Sequence, residues 1–127
     1  MIIDHDGIKP IYVQIAEWLE TEIMNGHFKE NEKMFSQYQL AEKLTINPAT
    51  AAKGLNLLAD KQILYKKRGL GMFVSEGAKS FIMAERKEQT LKKLAHEFVL
   101  EAYRLSVSEK EMVDMIKEMN EQIKGES

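Results

Sequence analysis

Apolar residues recur every fourth position early in the chain, at Ile11, Ile15, Leu19 and Ile23, with Trp18 alongside. That period lays one stripe along one face of a helix, predicted over Pro10 to Asn25. Pro10 suits the first helical position, and Gly26 supplies a left-handed stop. His27 to Lys33 is polar and turn-like, and Met34-Phe35 is expected to form a brief strand. Ser36 followed three residues later by Gln39 matches a capping box, which satisfies orphan amides at a helix start. Leu40, Ala41 and Leu44 give that second helix an apolar face, and Thr45-Ile46 is the turn that ends it. Asn47 is a favoured N-cap, and Pro48 stands where a missing N–H costs nothing. In the helix that follows, Ala51, Leu55 and Leu58 point inward. Ala49, Thr50, Lys53, Asn56 and Asp60 then fall mainly on the other side.

After Asp60 the pattern changes from helix to strand. Ile63-Leu64-Tyr65 and Met72-Phe73-Val74 are short runs of strand-forming residues, joined by the basic loop Lys66-Lys67-Arg68-Gly69-Leu70-Gly71. Its glycines permit positive φ. Gly77 closes a first domain, 1–77, and a tail, 78–127, follows. From Lys79 to about Ser106, Leu91, Leu94, Phe98, Ala102 and Leu105 recur at helical spacing. Ser108 with Glu111 is a second capping box, opening a last helix with the stripe Met112, Met115, Ile116, Met119 and Ile123. Two amphipathic helices cannot bury their faces fully on one another, so a partner is implied. The simplest is a second copy of the chain. The fold class expected is mainly α with a small β-wing: a winged helix-turn-helix plus a two-helix dimerisation tail.

Composition narrows the classes. The 127 residues are 44% hydrophobic and 30% charged, which suits a globular protein. There is no cysteine, so disulfides and thiol-based metal or redox sites are excluded. No apolar run spans a membrane, and Met1-Ile2-Ile3-Asp4-His5-Asp6 lacks the basic region and apolar core of a signal peptide. A cytoplasmic location is expected. The net charge of −2 does not by itself suggest a nucleic-acid partner. Its distribution does. Residues 1–32 carry a balance of −5, whereas residues 53–68 carry +4, with Lys53, Lys61, Lys66, Lys67 and Arg68 against Asp60. Surface potential follows charge within a Debye length of about 8–10 Å, so one face can attract phosphate on a mildly acidic protein.

The order of elements and the local words resemble the winged-helix domain of the GntR family of bacterial transcription regulators, over about residues 9 to 78. The resemblance begins at Pro10-Ile11-Tyr12-Val13-Gln14-Ile15. It continues through Leu40-Ala41-Glu42 and Ile46-Asn47-Pro48-Ala49-Thr50, and ends at Lys67-Arg68-Gly69-Leu70-Gly71-Met72-Phe73-Val74. The Asn47 word, the wing and the short helical tail are most similar to the YtrA-like subfamily. The resemblance implies a homodimeric repressor on a pseudo-palindromic operator, often governing an operon for an ABC transporter. Thr50 and the wing glycines match family contact positions. The chain departs from the family at Tyr38, Pro48 and Ala52, where arginines are common, and at Phe35, where proline is usual. Arginine-based base readout is therefore expected to be reduced.

The expected DNA-contacting residues are Ser36, Gln37, Tyr38, Asn47, Ala49, Thr50, Lys53, Lys66, Lys67, Arg68, Gly69 and Gly71. Lys53 is either a contact to a phosphate or guanine edge or a solvated helix lysine. Tyr38 either donates to a phosphate or packs on Phe35. The residues expected to dimerise are Leu91, Leu94, Phe98, Ala102, Leu105, Met112, Met115, Ile116, Met119 and Ile123. The expected partners are an operator duplex and a second copy, with no membrane. His5, His27 and His96 lack partners at ligand spacing, so no metal or cofactor is expected. No catalytic constellation is present, and Gly69-Leu70-Gly71 is not a dinucleotide fingerprint because no helix follows directly. Two other readings stay open: a winged helix that docks protein, and a regulator with an effector between the tails.

Overall fold

Helix boundaries fall where the caps are. In the computed structural model, which describes residues 1–126, α1 (Ile11–Met24) starts with Pro10 in the cap position, one place earlier than expected. It ends in a Schellman motif: the His27 amide donates to the Glu22 carbonyl and the Gly26 amide to that of Ile23, with Gly26 at φ +82°. The Gln14 carboxamide ties the preceding arm down. It donates to the carbonyls of Asp4 and Lys9 and accepts from the Asp4 amide at 2.9 Å.

The capping box forms at α2 (Gln37–Leu44). The Gln39 amide donates to Ser36 Oγ at 3.1 Å, and the Ser36 amide donates to Gln39 Oε1 at 2.8 Å. Thr45 makes the turn at φ +54°, and Asn47 accepts from the Ala49 amide to start α3 (Pro48–Asp60), with proline in its first turn. Strands β1 (Leu64–Lys67) and β2 (Gly71–Val74) pair antiparallel, with Tyr65 opposite Phe73 and Lys67 opposite Gly71. Lys66 and Lys67 thus belong to the strand; the loop proper is only Arg68-Gly69-Leu70. The brief strand expected at Met34-Phe35 is a single bridge one residue earlier, Lys33 to Phe73. Around it the amides of Asn31 and Met34 donate to the carbonyls of Val74 and Met72.

One core joins these elements. Ile15, Leu19 and Ile23 of α1 meet Leu40 of α2, Ala51, Leu55 and Leu58 of α3, and Ile63, Leu64 and Val74 around the wing. Phe35 takes the place of the family's proline by stacking on Trp18, with ring centroids 6.5 Å apart, and meeting Phe28 edge-on at 5.2 Å. Gly54 marks the close approach of α3 to α1. A Cβ there would stand 3.1 Å from both the Tyr12 carbonyl oxygen and Ile15 Cγ2. Gly54→Val is therefore expected to lower the unfolding free energy by about 1–3 kcal/mol, because a backbone carbonyl cannot yield as a side-chain tip can. Urea denaturation measures it. An unchanged midpoint would show that α1 and α3 separate freely.

The chain divides into two compact units, the first ending at Ala84 and the second beginning at Glu85, rather than at residue 77. The physical reason lies in α4 (Ala78–Arg86), whose Ala78 and Ile82 are buried in the first unit's core. The long helical pattern is then broken by a π-helical turn over Lys87–Leu91 before α5 (Lys92–Arg104). The second unit ends with α6 (Glu109–Glu126). Half of the expected second capping box forms there: the Glu111 amide donates to Ser108 Oγ, while the Glu111 carboxylate accepts from the Ser108 hydroxyl.

Candidate nucleic-acid interface

An open groove of about 460 Å³ runs between the start of α2, the outer side of α3 and the wing. Ser36, Gln37 and Tyr38 form one bank, Ala52 and Asn56 the floor, and Lys66 to Gly69 with Gly71 the other bank. Residues far apart in sequence thus converge on one concave surface.

The hairpin turn closes through the Leu70 amide, which donates to the Lys67 carbonyl at 2.9 Å, with Gly69 at φ +77° and Gly71 at φ +107°. Side chains alternate across a strand pair, so adjacent Lys66 and Lys67 leave on opposite faces. Lys67 Nζ sits 4.4 Å from the Phe73 ring centroid and 5.8 Å from that of Tyr65, which stack on each other. Lys66 leaves from the face of Met72, its cross-strand neighbour, and Arg68 is exposed at the tip. Lys33, on the edge segment, adds a cation near Gly71: its Cε would lie 3.3 Å from a Cβ on that glycine.

At the opposite bank, the capping box occupies the amides of Ser36 and Gln39. Among the described residues no group accepts from the amides of Gln37 and Tyr38. Amides at a helix start favour an anion. Tyr38 is 70% exposed, and Phe35 stacks on other rings, so its phenol is open to solvent.

On α3 the expected contacts divide. Asn47, Ala49, Thr50 and Lys53 lie outside the groove lining, although Ala49 and Lys53 are exposed and Thr50 is half-buried. Lys53 Nζ rests 5.4 Å from the Tyr12 ring centroid, so its charge leans toward α1. Lys61, part of the basic run in the sequence, is committed elsewhere: its Nζ lies 3.6 Å from the buried Glu20 carboxylate. The effective basic cluster is therefore the wing. Asn56 is the main groove residue absent from the expected set. Its spacing from Ala49 and Ala52, seven and four residues, is the helical signal that locates it on the outer side.

The model for bacterial regulatory proteins of the gntR family matches residues 11–74. The chain belongs to the GntR family. Among its relatives is the HTH-type transcriptional repressor YtrA of Bacillus subtilis strain 168, 29% identical over 97% of this chain and 94% of that protein. A GntR-family regulator from Bacteroides thetaiotaomicron superimposes with a TM-score of 0.75 at 34% identity, covering 89% of this chain and 98% of that one. Another from Listeria monocytogenes gives 0.72 at 29% identity, covering 89% and 97%. This GntR chain is thus a DNA-binding transcriptional regulator with no catalytic role.

In its second unit, the GntR chain leaves most of the expected dimerisation stripe in solvent. Leu91, Leu94 and Leu105 are 58%, 54% and 67% exposed, and Met115, Ile116, Met119 and Ile123 span 47–65%. Phe98 and Met112 are half-buried. Ala102 is already buried within one chain and has no surface to offer a partner. Tyr103, 83% exposed, lies on the other side of α5 from that stripe. Among the described residues no cluster of acids and histidines is arranged to hold a metal, and no helix is long and apolar enough to cross a membrane.

Proposed function

We propose that this regulator is a homodimeric repressor holding a pseudo-palindromic operator, one half-site per groove. The single observation that carries the reading is the convergence of Lys66 and Arg68 with the open amides of Gln37 and Tyr38 on one groove beside α3, with Lys67 at its edge leaning on Phe73. Such a groove accepts a phosphate strand passing between a helix in the major groove and a wing beside the minor groove. Lys66, Lys67 and Arg68 then set affinity, joined by Lys53 once its ammonium swings off the Tyr12 ring, while Ala49, Thr50 and the wing sort sequences. Ser36 and Asn47 fix the helix starts that aim them.

The exposed apolar stripes of α5 and α6 support the dimer, since so much unpartnered apolar surface is costly to leave in water. A dimer places its reading helices about 34 Å apart, one DNA turn, or a multiple of it. The repressor name of the Bacillus subtilis relative supports the sign of regulation. The YtrA-like resemblance extends the proposal to an operon encoding an ABC transporter as the regulated unit.

Binding of the purified chain to its own upstream DNA and to a scrambled duplex, across about 50–200 mM salt, tests the reading. A two-fold symmetric footprint with steep salt dependence is the expected result. Equal, weak binding to both duplexes would count against it and favour a protein-docking role.

A further inference from the structure

Base readout deepens the DNA-binding reading above and rests on it. Guanine is most often read by arginine or lysine bonded to O6 and N7, adenine by asparagine or glutamine bonded to N6 and N7, and thymine by contact with its methyl group. Residues 1–84 contain one arginine, Arg68, and it stands at the wing tip rather than on α3. The one long cation on the outer side of α3, Lys53, leans onto the Tyr12 ring. What remains along the exposed side of that helix is a short row of methyl groups from Ala49 and Ala52, and one carboxamide, Asn56, which with Ala52 lines the groove. Asn56 is exposed, lines the groove, and makes no hydrogen bond among the described residues. Its donors and acceptor are all unspent. Arg68 is likewise exposed, without a carboxylate partner among the described residues, and is followed by a glycine at φ +77°. An arginine inserted beside DNA is drawn to the narrow, strongly negative minor groove of A·T tracts.

We propose that the half-site read by this chain is built from A·T pairs, with Asn56 bonding an adenine edge in the major groove and Arg68 seated in a narrow A·T minor groove. Helix and wing select the same base composition through unrelated contacts. The methyl row adds thymine methyl contacts between them.

In vitro selection from a random duplex library, using the full chain, identifies the half-site. Base analogues then separate the two grooves. An inosine·cytosine pair presents the major-groove edge of G·C and the minor-groove edge of A·T. At positions under α3, inosine·cytosine is expected to weaken binding as much as G·C does, by about 10–100-fold for the pair facing Asn56. Under the wing it is expected to bind like A·T. Replacing thymine by uracil under α3 should weaken binding several-fold. Asn56→Ala, at an exposed position, should erase the preference at one pair and keep the salt dependence. Enriched G·C pairs under α3, or an unchanged base profile in Asn56→Ala, would overturn the inference and leave DNA binding intact. Salt-dependent binding with no enriched half-site would overturn it as well. Failure to bind any duplex at low salt would overturn the DNA-binding reading itself.

Discussion

Replacing Lys66, Lys67 and Arg68 together by glutamine is expected to lower affinity for every duplex and to flatten its salt dependence. Each neutralised phosphate adds about 0.9 to the slope of log affinity against log salt, so losing three contacts reduces that slope by about 2.7. Between 50 and 200 mM salt, the gap between native and variant proteins should then close by about 40-fold. The deficit is therefore greatest at low salt. All three side chains are exposed, so the fold should survive, although Lys67→Gln forfeits about 0.5–1 kcal/mol of cation–π contact with Phe73. Lys67 is expected to give the smallest single effect, because its ammonium must leave that ring to meet a phosphate. Fluorescence anisotropy across a salt series, paired with a thermal melt, measures both. An unchanged slope would place the DNA elsewhere on the protein.

The second large effect is expected in the tail. Ile116 and Ile123 lie seven residues apart on one side of α6, 55% and 65% exposed in a single chain. Ile116→Glu with Ile123→Glu introduces charges that a folded monomer tolerates, because among the described residues both positions stay more than half exposed. In the dimer we propose, the same charges would be buried without partners, at a cost of several kcal/mol each. Sedimentation should then show a species of 14.6 kDa where the native protein shows twice that mass. Affinity for a two-half-site operator should fall by about 10²–10⁴-fold, the usual worth of bivalence, while affinity for one half-site stays unchanged. A native protein that already sediments as a monomer would overturn the dimer.

Much of the first unit was legible because its signals are local. A capping box, an Asn-Pro helix start and a glycine stop each act within four or five residues, and all three stand where the sequence put them. The wing's existence was legible, but its register was not. Strand pairing is set across the hairpin, and Lys67 opposite Gly71 leaves three residues in the loop where the sequence suggested six. The end of the first unit shifted for a similar reason. Ala78 and Ile82 match a helical tail as well as a core, and only packing assigns them to the core.

By itself the sequence determined the helix-turn-helix, the basic hairpin and the amphipathic tail, because periodicity and capping are properties of neighbouring residues. The tertiary structure alone decided which charges reach the groove. Lys61 turns to Glu20, Lys53 to Tyr12 and Lys67 to Phe73, while Asn56 is left open with all its hydrogen-bonding capacity. A run of lysines in a sequence carries only total charge. Where that charge points depends on partners tens of residues away, brought close by the approach of α3 to α1 at Gly54 and by the pairing of the wing.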